Sequence, residues 1–157
     1  MTLTYRRTSA IAFLAALSIL LLASSLHASP APDQIVTLAD VEKAAGGKWK
    51  QRSPEPGVVF YEEEGGGYRQ INVYLFPPDG KTVAAIREAA VQNSEEVEKL
   101  DGLGDDAMYR PQGREATVEK AGKDGPQLLS ISVHEVPDPA KTKQLAVELI
   151  RRGLARL

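Results

Sequence analysis

Between Tyr68 and Phe76 the chain alternates: Ile71, Val73 and Leu75 fall on one side of an extended segment, and Gln70, Asn72, Tyr74 and Phe76 on the other. A period of two predicts a half-buried β-strand. Val58 to Tyr61, a β-branched and aromatic run, predicts a strand just before it, entered through the turn residues Ser53-Pro54-Glu55-Pro56-Gly57. The charged, Gly-rich stretch from Glu62 to Gly67 then closes a hairpin. Three more strands are predicted at Ala107 to Arg110, Glu115 to Ala121 and Leu128 to Val136. In the last, Leu129, Ile131 and Val133 alternate with Ser130, Ser132 and His134, so one face is core and the other polar.

The helical period appears in three places. Thr37 with Asp40 three residues on resembles a capping box, opening Leu38 to Ala45, which Gly46 and Gly47 stop. Thr82 to Gln92 carries an apolar stripe of Val83, Ile86, Ala89 and Ala90, and Ser94 to Leu100 reads as one further turn followed by a link. Asp138 caps a closing helix with Pro139 at its first position and Leu145, Leu149, Ile150 and Leu154 as its stripe. The resulting order is α-β-β-α-β-β-β-α over residues 37–157. It predicts one α+β domain, an antiparallel sheet of about five strands with helices packed on one face. Residues 29–36 are Pro-rich and read as an extended leader.

Ahead of the domain, Arg6 and Arg7 precede an uncharged, largely apolar run from Ala10 to Ala23, and Ser24, Ser25 and Ala28 follow. That is the layout of a secretory signal peptide over residues 1–28. An uncleaved anchor is the rival reading, but the run is short, and is closely followed by Pro30 and Pro32, against the about 20 apolar residues of a membrane span. The expected location is periplasmic or secreted, with no stable membrane anchor after cleavage.

The chain has no cysteine, which removes both a lipid-bearing thiol and disulfides. Stability must come from packing, and a mature chain of about 129 residues is long enough for one core. Lys and Arg number 19 against 21 Asp and Glu. Setting Arg6 and Arg7 aside brings the net charge to about −4, which argues against nucleic acid as a partner. The only basic cluster, Arg151, Arg152 and Arg156, sits at the end of the closing helix, where cations favour the C-terminal carbonyls.

Candidate chemistry is sparse. His134 is the one histidine after His27, too few for a multi-histidine metal site, and no cysteine can act as nucleophile or ligand. Ser130 and Ser132 share its strand face, but no G-x-S-x-G turn presents a serine to it. No phosphate-loop or dinucleotide fingerprint is present, so no cofactor and no enzymatic activity are expected. Glu62-Glu63-Glu64 with Gly65 to Gly67, and Asp101 to Asp106 with Gly102 and Gly104, have oxygen ligands for a hard cation but no calcium-loop spacing. Both read more simply as turns, with Leu103 plugged into the core. Trp49 either packs the first helix on the sheet or rims a pocket.

The run Gly102-Leu103-Gly104-Asp105-Asp106-Ala107-Met108-Tyr109, followed by Ala116 to Gly122 and Leu128 to Val133, resembles a stretch found in bacterial exported, lipoprotein-like families of unknown function with a Gly-Leu-Gly-Asp-x-Ala turn. The resemblance implies an α+β domain with a terminal helix and supplies no activity. The positive clue is the polar sheet face, where Asn72, Tyr74, Phe76, Ser132 and His134 combine aromatic anchors with adaptable polar groups. These five residues are the expected partner-binding set. The function they suggest is an exported, non-enzymatic binding or accessory domain that recognises another envelope protein. A small-ligand or cation-binding periplasmic protein is the alternative.

Overall fold

The computed structural model describes residues 30–52, 55–122 and 125–157, and the signal peptide expected over residues 1–28 lies outside them. The chain enters the fold through α1 (Pro32–Ile35), a single helical turn where an extended leader is expected. Pro32 at the first helical position presets the backbone, and burial of Ile35 and Val36 in the main core holds the turn in place. The Tyr61 hydroxyl donates to the Val36 carbonyl, tying the segment to the sheet. Helix α2 (Leu38–Ala45) follows with its capping box complete: Thr37 Oγ1 accepts from the Asp40 amide, and the Asp40 carboxylate accepts from the Thr37 amide at 3.0 Å. Gly46, at φ 69°, ends it in the left-handed region.

The strands are β1 (Trp49–Gln51), β2 (Val58–Glu63), β3 (Gln70–Phe76), β4 (Glu98–Lys99), β5 (Asp106–Arg110), β6 (Glu115–Gly122) and β7 (Gly125–His134). They form one seven-stranded sheet in the order β1-β2-β3-β7-β6-β5-β4, antiparallel throughout. The α+β class with an antiparallel sheet stands, and the strand number rises from five to seven. The two additions are the edge strands, too short for any period to show in sequence. Two meanders, β1 to β3 and β4 to β7, meet where β3 pairs with β7, from Gln70 opposite His134 to Phe76 opposite Leu128.

One face of this sheet carries the main core. Val59, Tyr61, Ile71, Val73, Leu75, Val118, Leu129, Ile131 and Val133 pack there with residues of α1, α2 and the closing helix α4 (Pro139–Leu154). Asp138 caps α4 by accepting the Ala140 amide. Its fully buried stripe is Thr142, Ala146, Leu149, Ile150 and Gly153, while Leu145 and Leu154 are only half-buried. Small residues lie at the closest approach: a Cβ on Gly153 would meet Leu129 Cδ2 at 2.7 Å. Trp49 packs in this core, its Nε1 donating to the Gly46 carbonyl at 2.8 Å, so it joins α2 to the sheet. Leu103 is buried as expected.

The expectation that all helices share one face is corrected by α3 (Val83–Gln92), which lies on the opposite side over β5 and β6. Met108, Leu128 and the half-buried Phe76 are apolar positions on the otherwise polar face, and they form a second small core with Val83, Ile86 and Val97. Thr82 caps the helix, the Glu119 carboxylate accepts the Val83 amide at 2.8 Å, and Arg87 pairs with Asp106 at 2.6 Å. Among the described residues no helix is long and apolar enough to cross a membrane.

Candidate functional site

Antiparallel register places all five expected binding residues on the face opposite the main core: Asn72 faces Ser132, Gln70 faces His134, and Tyr74 faces Ser130. The structure divides them into two groups. Tyr74 and Phe76 stack with ring centroids 6.2 Å apart. The register sets Phe60 opposite Asn72, hence diagonal to Tyr74 on the same face. Phe60, Tyr74 and Phe76 are each half-buried and form an aromatic strip: Phe60 and Tyr74 lie on the half of the face that α3 does not cover, and Phe76 continues the strip into the second core against α3. Phe60 was missing from the expected set. Its signal is the register itself, since pairing Tyr61 with Ile71 sets Phe60 beside Asn72.

Asn72, Ser132 and His134 belong to the second group, a hydrogen-bond relay. Gln70 Nε2 donates to Asn72 Oδ1 at 2.8 Å, Asn72 Nδ2 lies 3.3 Å from His134 Nε2, and Ser132 Oγ lies 3.2 Å from the same nitrogen. With the Asn72 amide NH2 as donor, His134 Nε2 is the acceptor, which leaves Nδ1 as the ring's N–H. Asn72 and Ser132 are buried, at 7% and 4% exposure, so Ser132 supports the surface from beneath and Asn72 reaches it only at one edge. The Ser132 and His134 pair lacks what a serine nucleophile uses. The hydroxyl is covered, and among the described residues no carboxylate contacts the imidazole.

A third polar set lies further across the sheet. Glu115 accepts from Arg110 at 2.9 Å, from Thr117 at 3.1 Å and from Ser130, and Arg110 also reaches Glu95 at 3.3 Å. Most of its polar groups pair with one another, Arg110 Nε alone of them being buried without a partner among the described residues, and it reads as a structural network.

Above the relay opens a cleft of about 510 Å³ lined by Tyr68, Gln70, Asn72, His134 and Glu135. Its two walls are unusual. Tyr68, at φ 53°, and Glu135, at φ 59°, occupy the left-handed region, which is costly for residues with a Cβ. Tyr68 is also 86% exposed. Two left-handed side-chain residues thus bracket the paired ends of β3 and β7.

The acidic segments are engaged within the fold. Glu63 forms a two-pronged bond with Arg69, which holds its carboxyl below the usual range, and Arg69 in turn lies 5.4 Å from the Trp49 ring centre. Glu62 pairs with Lys50 and Arg52. Asp105 accepts the Ala121 amide and Asp106 binds Arg87. Among the described residues no cluster of three or more His, Asp or Glu side chains is arranged to hold a metal. The basic cluster is used in the same way: Arg156 donates to Asp40 at 2.6 Å and to the Ile35 carbonyl at 2.7 Å.

Compared with family models, with curated proteins and with solved structures, the chain matches none.

Proposed function

We propose that this protein is an exported, non-enzymatic binding or accessory domain that recognises another envelope protein through the aromatic strip of its open sheet face. The observation that carries the reading is the grouping of Phe60, Tyr74 and Phe76, three partly accessible rings on rigid, centrally placed strands beside the buried polar support of Asn72 and Ser132. Aromatic anchors on a rigid platform give large contact area at low entropic cost and dominate binding energy in protein interfaces. Export rests on the signal-peptide pattern of residues 1–28. The cation-binding alternative loses support because most of the carboxylates in both acidic loops are already paired, while the small-ligand alternative keeps the cleft beside Tyr68.

The test is cross-linking capture from the native envelope with tagged protein beside a Phe60→Ser, Tyr74→Ser variant of verified fold. The expected result is one partner enriched by the parent and reduced at least tenfold with the variant. Equal recovery with both would reject recognition through the strip.

A further inference from the structure

We infer that the cleft between Tyr68 and Glu135 is a second binding site, for a neutral saccharide, separate from the aromatic strip and independent of its assignment. The argument begins with what lines the cleft. Gln70, Asn72 and His134 form its floor, Tyr68 and Glu135 its walls, and no lysine or arginine lines it. A phosphate or carboxylate ligand would meet no cation and one carboxylate, so anions are disfavoured. A purely apolar ligand would strip water from amides and an imidazole without replacing those hydrogen bonds.

Sugar hydroxyls fit the remaining chemistry, because each both donates and accepts. Within the cleft one N–H of Gln70 Nε2 goes to Asn72, while among the described residues Gln70 Oε1 accepts no hydrogen bond. With His134 Nε2 committed to Asn72 and Ser132, the Nδ1–H is the ring's remaining donor. The Glu135 carboxylate adds a strong acceptor for hydroxyl protons. A floor that offers both an acceptor and donors beside a carboxylate is suited to adjacent hydroxyls. The relay behind it fixes the amide and imidazole orientations before any ligand arrives, reducing what must be ordered on binding.

Tyr68 supplies the complementary surface. A pyranose presents a face of C–H groups, which pack on an aromatic ring. Burial does not hold this ring in place, because it is 86% exposed, and its backbone stays left-handed where glycine would be easier. The three positions just before it in the hairpin end, Gly65, Gly66 and Gly67, are all glycine, so the left-handed tyrosine stands out against them.

The probes are N-acetylglucosamine tetramer, β-1,4-linked glucose tetramer and, as the charged counterpart, galacturonate tetramer. Each is titrated into isotope-labelled protein and followed by NMR. At least one neutral tetramer is expected to shift the Gln70 and Asn72 side-chain amides and the His134 ring, with a dissociation constant in the millimolar range or tighter. Tyr68→Gly should weaken that binding at least tenfold, and the charged tetramer should bind more weakly than its neutral counterparts. Absence of saturable shifts with both neutral tetramers would overturn the inference, as would shifts unaffected by Tyr68→Gly or a preference for the charged tetramer. The Tyr68→Gly variant should still capture the protein partner, which keeps failure here distinct from failure at the strip.

Discussion

Gly104 illustrates how much of the fold rests on single positions. Its φ of 53° is left-handed, and a Cβ there would lie 2.3 Å from the Glu119 carbonyl oxygen and 2.6 Å from Val118 Cγ2. Two residues earlier, Gly102 is also left-handed, at φ 74°, but a Cβ there would enter open space. Gly104→Ala therefore combines backbone strain with a clash against the ladder and should cost about 2–4 kcal/mol, while Gly102→Ala should cost about 1 kcal/mol. Denaturant unfolding of the two variants measures the difference directly. Tyr68 presents the opposite case, since Tyr68→Gly relieves a left-handed side-chain residue that contributes little packing. It should raise stability by about 1 kcal/mol, read from the same unfolding curves. A fall in stability would mean that the ring holds the hairpin end together. The Gly-Leu-Gly-Asp turn and the buried Leu103 were legible in sequence because glycine and a lone apolar residue are local signals. The exposed, left-handed Tyr68 was not legible, because in the sequence it looks like the first residue of an aromatic strand.

At the level of elements, the closing helix clasps the start of the domain. Asp40 is both the third residue of α2, bonded to Thr37, and the partner of Arg156 from beyond the end of α4. Burial opposes ionisation of its carboxyl, but the Arg156 and Thr37 hydrogen bonds outweigh that and bring its pKa down to about 2. A depressed folded pKa contributes stability that is present above the unfolded value near 4 and lost as pH falls toward 2. Between pH 5 and pH 2 this group should account for a loss of about 1–2 kcal/mol. In Asp40→Asn that increment should be absent at neutral pH and the acid slope correspondingly shallower, as followed by urea unfolding across the pH range. An unchanged slope would mean that the ion pair does not persist in solution.

The long elements were readable because their period and caps agree: Thr37, Thr82 and Asp138 each open the helix expected of them. The edge strands β1 and β4 were not, since their pairing comes from the neighbouring strand rather than from any pattern of their own. Nor was the side on which α3 packs. Phe76, Leu128 and Met108 hold that information, but only once the register brings them together on one face.

Across the whole molecule, two meanders joined at β3 and β7 place the most sequence-distant strand pairing near the centre and leave short strands at both edges, which limits edge-to-edge association. Helices α1, α2 and α4 pack on one face, and α3 covers part of the other. The binding residues suggested by alternation do share that second face, but burial separates supporting groups from accessible ones, a distinction no single strand pattern contains. The central claim is that the uncovered half of this face is the recognition surface. Its most direct test is a photoreactive phenylalanine analogue, which keeps an aromatic ring, placed at Phe60 in one protein and at the exposed Val91 of α3 in another. On irradiation in the native envelope, the Phe60 position should yield one discrete adduct that Tyr74→Ser abolishes, and the Val91 position should yield none of the same mass. An adduct from Val91 alone, or from Phe60 regardless of Tyr74, would contradict recognition through the strip.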